Sequence, residues 1–237
     1  MTTLRAAENF DKEYLFSPAL APLIDGAKIF YISGYFLSHA ADTALEFAKK
    51  VSAAGKVGVD DSNLLRISPN PTVSQILALN TAAPFICQYF NAQLSLLLPY
   101  CDFVIGNDTE AELWATTAGH ANIKDALAIG KIIATLPKAN ASRPRVVVIT
   151  RGSDSTVLVS SDEPDSAKII PVHPLKDDEI VDTNGAGDAF AGGFLGGCVA
   201  GKSPYDAVLA GHKLAATSIQ LVSLASGLLF PACLCQG

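Results

Sequence analysis

Apolar residues fall along the chain in short runs of two kinds, and the spacing within each run predicts its element. Lys28-Ile-Phe-Tyr-Ile-Ser33, Ile76-Leu-Ala-Leu-Asn80, Asp102-Phe-Val-Ile-Gly106 and Arg145-Val-Val-Val-Ile-Thr150 are near-continuous apolar runs ending at glycine or polar positions. Runs so short and so continuous suit strands buried on both faces of a parallel sheet. Between them, apolar positions recur at helical spacing. Helices are predicted at 21–24, from Asp42 through Lys50, from near Pro84 to before Pro99, and over 110–118 and 123–136. Thr156-Val-Leu-Val159 and Lys168-Ile-Ile-Pro-Val172 read as a hairpin-like pair, Ile180 and Val181 as the end of a further strand, and helices follow from Asp188 and from Ser203. Short strands alternating with helices predict an α/β fold, a mostly parallel sheet flanked by helices on both faces, in one domain.

Two stretches break the pattern. Residues 57–75 carry Asp-Asp-Ser-Asn and Pro-Asn-Pro and show neither a helical nor a strand period. They read as an inserted surface loop between a helix and a strand that a short connection would otherwise join. The strand 76–80 is expected to keep its place in the sheet. Residues 221–237 form an uncharged string without a recognisable motif, an atypical tail.

Ligands of open α/β sheets collect at the carboxyl ends of the strands, where Asn80, Asn107, Thr150-Arg-Gly152 and Asp182-Thr-Asn184 are expected. The last of these opens the richest stretch, Asp182-Thr-Asn-Gly-Ala-Gly-Asp-Ala-Phe190. Gly185 and Gly187 bracket Ala186, so a tight turn can point successive N–H groups at one spot where a helix begins, which makes an anion site. Asp188 stands at its mouth. A carboxylate there suits a hydroxyl that must lose its proton as a phosphoryl group arrives; the other reading is an ordinary helix-capping Asp. Asn107 and Glu110 are spaced as oxygen ligands for a hard cation or as a capping box. Thr150 and Gly152 lie in a turn after a buried strand, a common one by itself. His212 follows Gly211 in a helix, and Tyr35 and Phe36 either stack on a base or pack in the core.

Composition narrows the picture. Hydrophobic residues make up 49% and charged residues 17%, which favours a compact globule over disorder. A net charge of −6 gives no electrostatic reason to expect nucleic acid or an anionic membrane as partner. The five cysteines are scattered without a C-x-x-C pair, so buried thiols are expected. The charged first residues carry no secretory pattern, and the C-terminal stretch holds too many hydroxyl and amide side chains for a membrane span.

The string Asp182–Phe190 resembles the C-terminal signature of the ribokinase-like (carbohydrate kinase) family. Tyr31-Ile-Ser-Gly-Tyr-Phe-Leu37, Leu79-Asn-Thr-Ala-Ala-Pro-Phe-Ile86, Gly106-Asn-Asp-Thr-Glu-Ala-Glu112 and Ala210-Gly-His-Lys-Leu-Ala-Ala216, in that order, extend the resemblance to the adenosine-kinase branch over roughly residues 4–220, with one gap. The resemblance implies transfer of the γ-phosphoryl group of ATP to the 5′-hydroxyl of adenosine, giving AMP and ADP. It implies Asp188 as catalytic base and Gly185, Ala186 and Gly187 as the anion hole. Thr150, Gly152, Asn184 and His212 would contact ATP, Tyr35 and Phe36 adenosine, and Asn107 with Glu110 would hold Mg2+ and its waters. A cytoplasmic monomer is expected, the nucleus also being open. Family members carry an upstream portion that supplies a lid, a glycine pair and an acidic residue gripping the ribose, and this sequence holds none of it. An impaired nucleoside pocket and an open sheet edge are therefore expected. An inactive nucleotide-binding fragment, a mis-assembled gene product and a related sugar kinase are the alternatives.

Overall fold

The computed structural model describes residues 10–54 and 75–221. Two short helices, Lys12–Leu15 (α1) and Ala21–Gly26 (α2), lead into strand Ile29–Ser33 (β1) and the helix Leu37–Ala54 (α3), kinked at Ala40. Strand Ile76–Asn80 (β2), helices Pro84–Tyr89 (α4) and Asn91–Leu97 (α5), strand Phe103–Asn107 (β3) and helices Asp108–Thr117 (α6) and Ala126–Thr135 (α7) follow. Strands Val146–Thr150 (β4), Thr156–Ser160 (β5) and Lys168–Ile170 (β6) complete the sheet, and helices Ala186–Val199 (α8) and Pro204–Ile219 (α9) close the described chain.

The six strands lie in sequence order, β1 to β4 parallel and β5 and β6 antiparallel. Alternate residues face opposite layers, as the pleat requires. Leu77, Leu79, Val104, Val147 and Ile149 pack with α3 to α7, whereas Ala78, Phe103, Ile105, Val146 and Val148 pack with Phe190 and Phe194 of α8 and Val208 of α9. Both faces are covered by helices, as expected, and β2 sits between β1 and β3. The inserted segment 57–75 lies outside the described residues apart from Gln75, and the tail 221–237 apart from Leu221.

At the amino end of the sheet a buried ionic clasp ties these elements together. Asp102 accepts from Leu77 N (3.0 Å), Lys138 Nζ (2.7 Å) and Arg143 Nη2 (2.9 Å). Arg143 also donates to Gln75 O (2.8 Å), and Gln75 Nε2 to Ile24 O (2.6 Å). Desolvation pushes the Lys138 ammonium below its usual range, and the Asp102 charge opposes the shift. Arg145, fully buried, directs its guanidinium at the carbonyls of Leu98, Ile133, Leu136 and Pro137 and so satisfies the end of α7.

Two sequence expectations need correction. Ile180 and Val181 do not end a strand: both are exposed, and Val181 N and Asp182 N donate to Ile219 O at 3.0 and 3.1 Å. The turn before α8 thus rests on the end of α9 rather than on the sheet. The helix expected over 84–98 breaks at Phe90 (φ −115°, ψ 24°). There the buried Asn91 amide donates to Cys87 O and, across the fold, to Trp114 O (3.2 Å).

Candidate active site

The carboxyl ends of β1 to β4 line up along one edge, with Ser33 beside Asn80 and Asn107 beside Thr150. Close approach there depends on missing side chains. A Cβ on Gly34 would lie 2.5 Å from Thr81 O, and one on Gly106 2.2 Å from Thr81 Oγ1. Asn80 Oδ1 accepts from Ala82 N at 2.8 Å and holds Ala82 at φ 68°, in the left-handed region that non-glycine residues seldom occupy. Such backbone strain concentrates at functional sites.

Asn107 caps α6 and makes the full capping box: its Oδ1 accepts from Glu110 N (2.9 Å), and Glu110 Oε2 accepts from Asn107 N (3.1 Å). Glu110 Oε1 also accepts from Asn107 Nδ2 (2.8 Å), and Thr81 Oγ1 donates to Oε2 at 2.5 Å. Glu110 is only 4% exposed. Its carboxylate thus accepts three hydrogen bonds while almost wholly buried.

The glycine turn takes the shape its sequence predicts. Gly185, at φ 78°, precedes α8, and Asp182 Oδ1 accepts from Asn184 N (2.9 Å) and Nδ2 (2.8 Å), which pins the turn. Ala186 N donates to Thr183 O at 3.2 Å, so it is used within the turn. The N–H groups of Gly187 and Asp188 have no acceptor among the described residues and stand at the positive end of the α8 dipole. Asp188 is exposed.

Tyr31, which the sequence placed in a strand and in a family-like segment without a role, hydrogen-bonds with Asn80 at this edge. Desolvation pushes its hydroxyl above the usual range, a hydrogen bond with the Asn80 side chain opposes this, and the carboxylates of Asp188 and Glu110 add to the rise.

The remaining candidates spread along the same edge. Thr150 Oγ1 reaches Gly106 O at 3.3 Å, and Gly152 takes φ 57° in the following turn. His212 Nε2 and Thr156 Oγ1 are 2.7 Å apart at the start of β5, and the imidazole lies 5.7 Å from the Phe190 ring. Desolvation, then nearby His173, pushes His212 below the usual histidine range. Tyr35 and Phe36 diverge. Tyr35 is 38% exposed and neighbours the Phe85 ring, whereas Phe36 meets Phe10 edge-on at 4.9 Å and lines an apolar groove with Phe47 and Ala44.

Among the described residues no cluster of three or more His, Cys, Asp or Glu could enclose a metal. Glu110 nevertheless fits a hydrated divalent cation. Oε2 accepts two hydrogen bonds and Oε1 one, so one lone-pair position stays open to a metal-bound water, the kind of contact Mg2+ prefers. Among the same residues no helix is long and apolar enough to cross a membrane.

Known proteins share this fold. The chain is 47% identical over 222 residues to an adenosine kinase of Schizophyllum commune, an alignment covering 94% of this chain and 59% of that one. The structure of Anopheles gambiae adenosine kinase in complex with P1,P4-di(adenosine-5) tetraphosphate superposes with a TM-score of 0.81 at 34% identity, covering 93% of this chain and 58% of that one. Schistosoma mansoni adenosine kinase in complex with 2-fluoroadenosine gives a TM-score of 0.77 at 28% identity, with coverages of 92% and 59%. The chain thus spans about 59% of the length of the curated relative it matches. Residues 70–229 match the pfkB family of carbohydrate kinases, and the chain belongs to that family.

Proposed function

We propose that this chain carries the nucleotide-binding and catalytic part of an adenosine kinase, transferring the γ-phosphoryl group of ATP to the 5′-hydroxyl of adenosine and releasing AMP and ADP, a purine-salvage reaction. The observation that carries the reading is Asp188 in the first turn of α8, three residues after Gly185, where its own N–H and that of Gly187 are free among the described residues. A phosphoryl acceptor needs a base and its donor needs an anion hole, and here one turn supplies both. The adenosine kinases named above, two of them bound to adenosine-containing molecules, favour adenosine as acceptor over a free sugar.

In this reading Asp188 accepts the proton of the attacking 5′-hydroxyl. The N–H groups of Gly187 and Asp188 and the α8 dipole stabilise charge on the moving phosphoryl group, in place of the expected set of Gly185, Ala186 and Gly187. Thr150, Gly152, Asn184 and His212 line the nucleotide side, and exposed Tyr35 offers a ring for the nucleoside base. Mg2+, held through water by Glu110 and Asn107, neutralises charge on the nucleotide phosphates. Residues 10–54 and 75–221 act as one α/β unit with 57–75 inserted in it. The free buried thiols of Cys87, Cys101 and Cys198 suit the reducing cytoplasm.

The test is chromatography of products after the purified chain meets Mg2+, ATP and, separately, adenosine, inosine, ribose and fructose. AMP formed from adenosine supports the proposal. A sugar phosphate in its place overturns the acceptor, and bound nucleotide without product from any acceptor overturns the catalytic claim.

A further inference from the structure

Of the three donors on the Glu110 carboxylate, two come from Asn107 and accompany any complete capping box of this type. The third does not. Thr81 sits just past β2, 29 positions away in sequence, and its hydroxyl reaches Glu110 Oε2 at 2.5 Å. It gets there because residue 106 is glycine: a Cβ at that position would lie 2.2 Å from Thr81 Oγ1 and 3.1 Å from Glu110 Oε2. Thr81 is itself fixed by Thr81 N donating to Ile105 O at 2.9 Å. Its hydroxyl has a weaker second acceptor in Ile105 O at 3.3 Å, so the carboxylate is the stronger claim on its single proton. The neighbouring Cys87 thiol also hydrogen-bonds with Thr81; burial chiefly pushes it up to about 12, and a protonated thiol can donate to Thr81 Oγ1 without competing for the hydroxyl proton.

We propose that Thr81 is a positioning residue for the cation side of the site. Its hydroxyl fills the second lone pair of Oε2 and locks the carboxylate rotamer, so that Oε1 holds the open acceptor position for a water on a nucleotide-bound divalent cation. This deepens the proposed function and rests on it. Removing the hydroxyl frees the carboxylate to turn about its terminal torsion, which is soft, and weakens cation-dependent binding while leaving cation-free nucleotide contacts alone.

The experiment is calorimetry of ADP binding over a series of Mg2+ concentrations, and again in EDTA, for the full chain and for Thr81→Val and Thr81→Ser. Thr81→Val is expected to raise the half-saturating Mg2+ concentration about tenfold, the scale of lost outer-shell support, with ADP affinity in EDTA unchanged and Thr81→Ser restoring the wild-type value. If Thr81→Val does not fold, Thr81→Ala removes the hydroxyl without new bulk and takes its place. Equal Mg2+ dependence in all three proteins overturns the inference and leaves the proposed function standing. A wild-type chain whose ADP binding ignores Mg2+ overturns the cation role of Glu110, and the inference with it.

Discussion

Replacing Asp102 by alanine should expose how much the fold depends on its buried clasp. The carboxylate lies at the amino edge of β3, almost wholly buried, with Lys138 at 2.7 Å, Arg143 at 2.9 Å and the Leu77 amide at 3.0 Å. Both cationic side chains are less than a tenth exposed. Removing the anion leaves two desolvated cations with backbone acceptors at Gln75 O and Asn140 O but no counter-ion, and breaking a buried pair in this way costs about 3–5 kcal/mol. For a domain near this size 1 kcal/mol corresponds to about 2–4 °C, so the midpoint should fall by roughly 6–20 °C. Differential scanning calorimetry reads the shift. Adding Lys138→Met to the Asp102→Ala background should recover part of the loss, because it removes one stranded charge. Because Asp102 and Asn107 sit at opposite ends of β3, Mg·ATP affinity at low temperature should not change. A midpoint drop below about 2 °C would show that the clasp is hydrated and would refute the burial argument.

Alkaline pH should destabilise the fold. Burial pushes the thiols of Cys87, Cys101 and Cys198 up to about 12 from 9.0, so the unfolded chain releases those protons first. The stability they contribute is complete below pH 9 and is lost as pH rises towards 12, at up to about 4 kcal/mol per pH unit for the three together; Lys138, shifted the other way, offsets one group's share. Urea midpoints at pH 8 and pH 10 check this, and a flat profile would contradict it. Gly185→Ala should cost about 1–2 kcal/mol through backbone strain alone, since φ is 78° and nothing lies within 4 Å of the added Cβ. Unchanged urea midpoints in that variant would show that the left-handed turn is not needed.

The sheet was legible because its four parallel strands are short apolar runs ending at glycine or polar positions. The glycine turn and the Asn107 box were legible because their chemistry is local: a cap or a tight turn is written within four residues. What failed was tertiary. Ile180 and Val181 look like a strand by residue type, yet β6 is only three residues long and the following chain is drawn to the end of α9. The helix break at Phe90 follows from an Asn91 amide whose acceptor, Trp114 O, lies on another helix. Thr81 and Tyr31 both lie in segments that carry the family resemblance, yet the contact each makes runs across strands and no local spacing reveals it. Tyr35 and Phe36 could not be told apart from sequence, because an aromatic after a strand does not reveal which way it turns.

The central claim, that Asp188 is the base of a phosphoryl transfer to a hydroxyl, is tested most directly by comparing wild-type and Asp188→Asn chains for Mg·ATP affinity and for AMP formation from adenosine. The account predicts nucleotide affinity within a few-fold of wild type and turnover lower by about 10²–10⁴, the range a positioned general base supplies. An Asp188→Asn chain that makes AMP at close to the wild-type rate would contradict it.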